Sequence, residues 1–223
     1  MTPLVVASFN VWLSRHVEGV LAVLAAHERL GGADVLAVQE ADDHIVARIA
    51  SRFGWHAVYH PSDRHRATGR NFGPALFSRW PLLGDRALPL PRTGWRQRVA
   101  RNAVIATVQS PAGALVVCNV HLSTMLETAP AGQDRQAQVV AEAVASLDGP
   151  VIVLGDFNRR GVARVFARAG LEWHTRHIGR THHVWSFDHV FSRGLPGRWD
   201  AGAVRESLSV SDHRAVWARY RPS

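Results

Sequence analysis

The sequence predicts an α/β fold in which mixed β-sheets carry helices on their outer faces. Short β-branched runs bounded by Gly, Pro or Asp alternate with amphipathic segments, which indicates alternating strands and helices. The tight turn at residues 110–113 predicts an antiparallel hairpin. Strands joined by helices elsewhere can pair in other directions, so we expect mixed sheets. A chain of 223 residues suits one compact core, so we expect a single domain over residues 1–223.

Each element is predicted from its own pattern. Apolar runs predict strands at residues 4–9, 35–38, 56–60, 75–77, 103–109, 115–122, 151–154, 184–191 and 215–220. Apolar side chains at helical spacing predict helices at residues 17–24, 45–53 and 136–147. Residues 61–73 and 81–101 show neither pattern and are rich in arginine, so we expect two irregular loops that overhang a site.

Composition excludes several classes of protein. The chain is 47% hydrophobic and 20% charged, which is globular rather than disordered. No apolar run approaches the roughly 20 residues that span a bilayer, so we expect no stable membrane insertion. Residues 1–10 lack the pattern of a secretory signal, and the single cysteine, Cys118, lies in an apolar run where we expect a buried, inert thiol. A reducing cytoplasm fits these features.

The basic charge has two interpretations. A net charge of +8 is typical of proteins that bind polyanions, but all 26 basic residues are arginine, which is also typical of a GC-rich genome. Trp95 lies among Arg92, Arg96 and Arg98, which suits either contact with a nucleic-acid backbone or a solvated loop around one packed tryptophan. Four histidines, His174, His177, His182 and His183, are interpreted as exposed or substrate-edge residues rather than as a zinc cluster.

Polar side chains interrupt the apolar runs at six places. They are Asn10, Gln39-Glu40, His121, Asp156 with Asn158, Asp188-His189, and Ser211-Asp212-His213. Any one of them could be a turn residue or a helix cap, but strand ends are where α/β proteins build sites. The carboxylates and amides are hard donors that suit Mg²⁺ or Mn²⁺, and Asp188 could pair with His213 and favour its protonated form. This chemistry matches phosphoester hydrolysis.

In their order, these motifs resemble the endonuclease/exonuclease/phosphatase superfamily, which includes pancreatic deoxyribonuclease, exonuclease III, neutral sphingomyelinases and inositol polyphosphate 5-phosphatases. The resemblance runs from residue 8 to residue 213. It is carried by Ser-Phe-Asn10, Val-Gln-Glu40, Gly73 to Arg79, Arg101, Asn119-Val120-His121, Gly-Asp156-Phe-Asn158, Phe-Asp188-His-Val-Phe and Ser-Asp212-His213. It implies a four-layer α/β sandwich of two packed mixed sheets with helices on both outer faces.

The resemblance also implies a role for each residue. Glu40 is the principal metal ligand, with Asn10 and Asp212 assisting. Asp156 activates or orients the attacking water, and Asn158 positions that water or the phosphate. His213, oriented by Asp188, and His121 contact the phosphate. The resemblance assigns Arg101 to substrate binding, and we add Asn71, Arg96 and Arg98, which lie in the two irregular stretches, as further substrate-binding residues.

Departures from the family patterns bear on the substrate. Enzymes similar to pancreatic deoxyribonuclease pair the equivalent of His121 with a glutamate from the preceding region, but residues 61–101 contain no glutamate. The Pro-x-Trp-x-Asp-Arg motif of the 5-phosphatases is absent around Asp188. Apolar membrane-contacting segments like those of sphingomyelinases are not evident. We therefore expect a Mg²⁺-dependent phosphodiesterase, with nucleic acid as substrate. The alternatives are a hydrolase of phospholipid headgroups or small phosphate esters, and a catalytically silent binding module; no protein partner can be inferred.

Overall fold

The computed structural model consists of two mixed β-sheets packed face to face, and it describes residues 3–66 and 68–223. The strands are β1 (Leu4–Asn10), β2 (Val35–Ala41), β3 (His56–Tyr59), β4 (Asp63–Arg64), β5 (Asn71–Ser78), β6 (Leu82–Leu90), β7 (Arg101–Ser110), β8 (Gly113–His121), β9 (Val151–Asp156), β10 (Glu172–Trp173), β11 (Asp188–Arg193), β12 (Gly197–Val204) and β13 (Ala215–Pro222). The helices are α1 (Val17–Ala26), α2 (Glu28–Gly31), α3 (Asp43–Phe53), α4 (Pro130–Ala145) and α5 (Ala163–Arg168).

Each sheet contains one parallel pair near its centre. The seven-stranded sheet runs β12-β13-β1-β2-β5-β3, with β4 also paired to β5, and the six-stranded sheet runs β10-β11-β9-β8-β7-β6. The pairs β1–β2 and β8–β9 are parallel, and the remaining pairs are antiparallel. The two parallel pairs bring the carboxyl ends of four strands to one edge of the sandwich.

Apolar packing forms four layers. Helices α1 and α3 cover the outer face of the first sheet, where Leu24 and Ile49 are fully buried. Helices α4 and α5 cover the second sheet through side chains such as Val140 and Phe166. A third cluster fills the space between the sheets. The predicted four-layer sandwich is confirmed, and among the described residues no helix has the length and apolar content that crossing a bilayer requires.

The helix that follows β2 shows how local sequence determines an element. The Asp42 side chain accepts a hydrogen bond from the backbone N–H of Ile45 at 2.9 Å, which caps α3, and Gly54 ends the helix in the left-handed conformation. Such an N-cap contributes about 1 kcal/mol. The apolar residues between these signals fall on one face, and the helix predicted at residues 45–53 begins two residues earlier, at Asp43.

Three expectations about elements are wrong, and some strands were not predicted. Residues 61–73 are not wholly irregular, because they contain β4 and the first residues of β5. Residues 81–101 include an edge strand, β6, which is mostly exposed and carries Pro89, a residue that an edge strand tolerates. Residues 184–187 form a turn, so the strand predicted at residues 184–191 begins only at Asp188. The sequence also gave no signal for β12, because that edge strand contains two glycines and is mostly half-buried or exposed.

The histidine interpretation is correct only in part. His177 and His183 are exposed, whereas His174 is buried and its ring stacks on Trp199 at 4.0 Å. Cys118 is fully buried as expected, and burial raises the pKa of its thiol to about 12.

Candidate active site

The predicted site residues meet at the edge where the parallel strands end. Asn10, Glu40, His121 and Asp156 lie at or near the carboxyl ends of β1, β2, β8 and β9. His121 and Asp188 are both directly opposite Asp156 in the sheet register. The segment before β13 adds Asp212 and His213. Backbone pairing therefore fixes most of the relative positions.

Asp156 is the centre of the site. Its two carboxylate oxygens accept hydrogen bonds from the Asn158 backbone N–H at 2.9 Å and from Asn10 Nδ2 at 3.0 Å. Burial raises the pKa of Asp156 to about 7, and the Asp188 carboxylate adds to this, whereas the charge of His213 opposes it. Asp156 is thus a buried carboxylate that takes up a proton far more readily than a surface aspartate.

The backbone before Asp156 requires glycine. Gly155 has a φ of +142°, and a side chain there would collide with the backbone of Val120 on the neighbouring strand. The close approach brings β8 and β9 together where they end, and His121 Nε2 lies 3.6 Å from the Asp156 carboxylate.

Asp188 and His213 form the predicted carboxylate–imidazole pair. Nδ1 of His213 lies 3.0 Å from Asp188 Oδ2, and Nε2 lies 3.7 Å from Asp156 Oδ2. Burial alone would lower the pKa of His213, but the carboxylates of Asp188 and Asp156 outweigh burial and raise the pKa to about 10. His213 is therefore an imidazolium at neutral pH, directed at Asp156.

His121, in contrast to His213, is neutral. Burial lowers its pKa well below the ordinary value, and the positive charges of Arg101 and His213 lower it further. Nη1 of Arg101 lies 3.0 Å from His121 Nε2, and Nη2 of the same guanidinium bonds Glu127 Oε2 at 3.0 Å. The site thus pairs a charged histidine with a neutral one.

Glu40 and Asn158 share a strained backbone. Their φ angles are +58° and +52°, a conformation that few residues other than glycine adopt. At Glu40 the register of β2 against β5 shifts between Val38 and Ala41, which marks a bulge. The Glu40 carboxylate lies 3.9 Å from His121 Nε2 and retains 19% exposure of its side chain, so an ion could reach it.

The donor set fits a divalent cation. Glu40 and Asp156 flank the same histidine ring, and Oδ1 of Asp188 is buried without a hydrogen-bond partner in the described part of the chain. Acidic groups and histidines cluster as Asp156–Asp188–His213 and His182–Asp212–His213, with ligand atoms within 4.8 Å of one another. His213 is cationic, which leaves the carboxylates as the donors, and oxygen ligands suit Mg²⁺ or Mn²⁺.

Asn10 and Asp212, the other predicted ligands, lie at this edge with different partners. The side-chain Oδ1 of Asn10 accepts from the Trp12 backbone N–H at 3.0 Å, and its Nδ2 donates to Asp156. Asp212 is half-exposed, and its carboxylate lies 3.5 Å from His182 Nε2. Their ligation of the metal stays a prediction.

The predicted substrate residues differ in burial and in their contacts. Arg101 is buried against His121. Arg96 and Arg98 are exposed between β6 and β7. Asn71 opens β5, lies 3.5 Å from Asp43, and lines an open groove with Arg64 and Arg70.

Some contributing residues were not predicted. Glu127 links Arg101 to the loop after β8, and no pattern in the sequence indicates this. Thr181 is buried, and its hydroxyl accepts from the backbone N–H groups of Phe187 and Asp188 at 3.0 and 3.1 Å. His182 packs against His213 with ring centroids 4.5 Å apart. Its position in a histidine-rich segment before Asp188 was the only available signal.

A buried amide bridge joins the sheets beneath the site. Gln39 Nε2 donates to Asn119 Oδ1 at 2.7 Å, and Asn119 Nδ2 donates to the carbonyls of Val38 and Ala75 at 2.9 and 2.7 Å. These residues precede Glu40 and His121, so the bridge holds the ends of β2 and β8 together.

Comparison with known proteins agrees with this geometry. A sequence profile described as the Endonuclease/Exonuclease/phosphatase family matches residues 7–213. No curated protein matches the sequence.

Solved structures share the fold at low sequence identity. The endonuclease/exonuclease/phosphatase from Beutenbergia cavernae DSM 12333 has a TM-score of 0.81 and 20% identity, covering 100% of this chain and 72% of that one. TDP2 of D. rerio, complexed with a single-strand DNA product, has a TM-score of 0.77 and 18% identity, covering 99% and 100%. The human Nocturnin catalytic domain with bound sulfate has a TM-score of 0.76 and 17% identity, covering 99% and 95%.

Proposed function

Because the chain belongs to the endonuclease/exonuclease/phosphatase family, we propose that it is a Mg²⁺-dependent phosphodiesterase that hydrolyses nucleic acid. The observation that carries the proposal is the grouping of a charged His213–Asp188 pair, a buried Asp156 and an accessible Glu40 around one point. Phosphodiester hydrolysis needs a positioned water, a charge to stabilise the phosphate and a cation.

Each residue has a defined task in this proposal. Glu40, helped by Asn10 and Asp212, would hold the cation, which when bound would supply positive charge against the phosphate and lower the pKa of a bound water. Asp156 accepts a hydrogen bond from the attacking water and takes its proton, since burial raises the pKa of this carboxyl to about 7. Asn158 positions the water or the phosphate beside it.

The histidines act on the phosphate. His213 presents a charged Nε2–H to a non-bridging oxygen or to the leaving oxygen, and Asp188 keeps the ring protonated and oriented. His121 remains neutral and, with the guanidinium of Arg101, contacts a second phosphate oxygen.

Two observations support nucleic acid as the substrate. The chain carries a net charge of +8, and exposed arginines of residues 61–73 and 81–101 include Arg70, which pairs with Asp42, and Arg96, which lines a groove with Glu127. Among the structurally similar proteins, D. rerio TDP2 is complexed with a single-strand DNA product. Several exposed arginines can contact several phosphates of a polynucleotide, whereas a lipid headgroup or a small phosphate ester offers only one or two phosphates.

The test is hydrolysis of DNA, RNA, phospholipid vesicles and a chromogenic phosphodiester, each with Mg²⁺ and with chelator. We expect Mg²⁺-dependent cleavage of a polynucleotide and loss of activity in chelator. Glu40→Gln removes the charge that holds the cation, so activity falls by orders of magnitude and Mg²⁺ no longer raises the melting temperature. Glu28→Gln, at an exposed glutamate on α2, is the matched control. Full activity in chelator, or cleavage of vesicles alone, contradicts the proposal.

A further inference from the structure

Exposed apolar side chains are concentrated beside the site. Of the seven large apolar side chains exposed in the described part of the chain, five lie on three neighbouring loops. We call them the aromatic rim: Trp95, Met125, Leu126, Val184 and Trp185. Trp95 is 87% exposed and Leu126 84% exposed, which is costly in water without a ligand.

The rim lines two adjoining grooves that share Met125. One groove, of about 370 Å³, is bounded by Arg159, Arg160, Arg180 and Trp185 and lies next to the residues that follow Asn158 and precede Asp188. The other, of about 350 Å³, is bounded by Trp95 and Arg96 and by residues 125–129. Both volumes lie in the range of ligand sites, roughly 300–1,000 Å³.

The loop that carries Trp95 is rigidly built. Gly94 packs so closely on the backbone of Glu127 that no side chain would fit, and Thr93 and Thr128 join their hydroxyls at 3.0 Å. The buried Gln97 accepts from the Thr93 N–H at 3.0 Å, which closes the turn. Trp95 is therefore exposed although the residues around it are packed and hydrogen-bonded.

Hydrogen bonds connect the loops of Met125 and Trp185 to the histidines of the site. Glu127, next to Met125 and Leu126, bonds Arg101, which contacts His121. Trp185 exchanges backbone hydrogen bonds with His182 at 2.7 and 3.0 Å. That residue in turn forms a backbone bridge with His213. Hydrogen bonds therefore connect the loops of the rim to His121 and His213.

We infer that the aromatic rim binds an unpaired polynucleotide segment, whose bases stack on Trp95 and Trp185 while the neighbouring arginines hold its phosphates. The inference rests on the proposed nuclease function and assigns single-stranded rather than duplex nucleic acid to the site. Exposed indole faces stack on any base that is not already stacked on its neighbours, which excludes bases inside a duplex.

The charge pattern favours this occupant over a lipid surface. Each groove brings arginine and apolar side chains together at one level of the surface, and the Arg96 guanidinium lies 4.6 Å from the centre of the Trp95 ring. A single strand likewise presents phosphates beside exposed bases, whereas a bilayer holds its phosphates at the surface and its apolar chains below them.

Binding of a labelled oligothymidylate, of the matching duplex and of phosphatidylcholine–phosphatidylserine vesicles, measured in chelator to prevent cleavage, tests the inference. We expect the single strand to bind more tightly than the duplex. Trp95→Ala and Trp185→Ala should each weaken binding of the single strand about tenfold. Trp95→Phe should retain most of the affinity, and Leu208→Ala, at an exposed apolar residue outside the rim, should retain all of it.

The outcomes separate this inference from the proposed function. If the tryptophan variants bind the single strand like the wild type, or if duplex binds as tightly, the inference fails, even where polynucleotide hydrolysis is intact. Capture by vesicles that is lost in the tryptophan variants also overturns it and identifies a lipid-docking surface. If no polynucleotide is hydrolysed in Mg²⁺, the proposed function itself fails.

Discussion

At the scale of single residues, the charge on His213 depends on its contact with Asp188. Removing the anion in Asp188→Asn lowers the pKa of His213 from about 10 toward the ordinary value, because only Asp156 and Asp212 then oppose the effect of burial. The alkaline fall in the pH–rate profile should move to lower pH, and turnover at pH 8 should drop about tenfold or more. Asp200→Asn, in an exposed ion pair with Arg221, is the control.

The same pair makes stability depend on pH. His213 has a folded-state pKa above its unfolded value, so it contributes stability that is fully present below about pH 6.5 and is lost as pH rises toward 10. Asp188→Asn should flatten this slope in chemical denaturation measured between pH 6.5 and 10. An unchanged slope together with an unchanged rate profile would contradict the pairing.

At the scale of elements, the turn before β11 depends on one hydroxyl. Thr181 Oγ1 accepts from two buried backbone N–H groups, and the Thr181 carbonyl accepts from the Arg214 N–H at 2.7 Å. Thr181→Val keeps the shape but leaves the donors without a partner, which costs about 1–3 kcal/mol in the free energy of unfolding. Because the turn places Asp188, turnover should fall as well.

Thr181→Ser is the matched control for this prediction. It keeps the hydroxyl, so it should recover most of both the stability in urea denaturation and the turnover. If serine and valine destabilise the protein equally, the methyl packing rather than the hydrogen bonds would hold the turn.

At the scale of the whole molecule, buried histidines make the fold sensitive to acid. Burial lowers the pKa of His189 to about 4, and neither ring nitrogen has a hydrogen-bond partner among the described residues. A folded-state pKa below the unfolded value contributes stability above about pH 6.5, which is lost as pH falls toward 4, by up to roughly 3 kcal/mol. His174 shares this behaviour, with a pKa lowered to about 4.

Replacement of His189 isolates its share of the acid loss. His189→Leu places an apolar side chain against Phe157 and Phe191, so the difference in unfolding free energy between pH 7 and pH 5 should shrink. His177→Leu, at an exposed histidine, should leave the difference unchanged. The other groups titrate alike in the variant and the wild type, so an equal difference in all three proteins would refute the assignment.

The net charge of the molecule predicts a salt dependence. Polynucleotide affinity should fall steeply with salt, because arginines that neutralise phosphates release counterions. Arg96→Ala combined with Arg98→Ala should raise the KM for a polynucleotide. The plot of log affinity against log salt should become less steep, its negative slope shrinking by roughly one to two. The control is Arg168→Ala combined with Arg198→Ala, at two exposed arginines elsewhere. An equal change of slope in both double variants would mean that overall net charge, rather than contacts of Arg96 and Arg98 with phosphates, sets the salt dependence.

The residue pattern of the sequence by itself determined that mixed sheets carry helices on their outer faces, and the ordered motifs added the four-layer sandwich through their resemblance to a family. Glu40, His121 and Asp156 each end a buried apolar run, and a polar side chain that interrupts such a run is visible without coordinates because burial makes the rest of the run apolar. Helix α3 was predicted from its apolar face, and its Asp42 cap was recognised only in the structure.

Only the tertiary structure decided the edge strands, the neutral state of His121 and the rim, whereas the protonated state of His213 was predicted from its pairing with Asp188. Strands β6 and β12 lie at sheet edges, where exposure removes the apolar pattern that identifies a strand. The opposite charge states of His121 and His213 depend on which charges lie near each ring, and residues far apart in the chain supply those charges. Trp95 and Trp185 are 90 positions apart, so their convergence depends on how the loops pack. Burial leaves a pattern along the chain, whereas distances between separate segments exist only after folding.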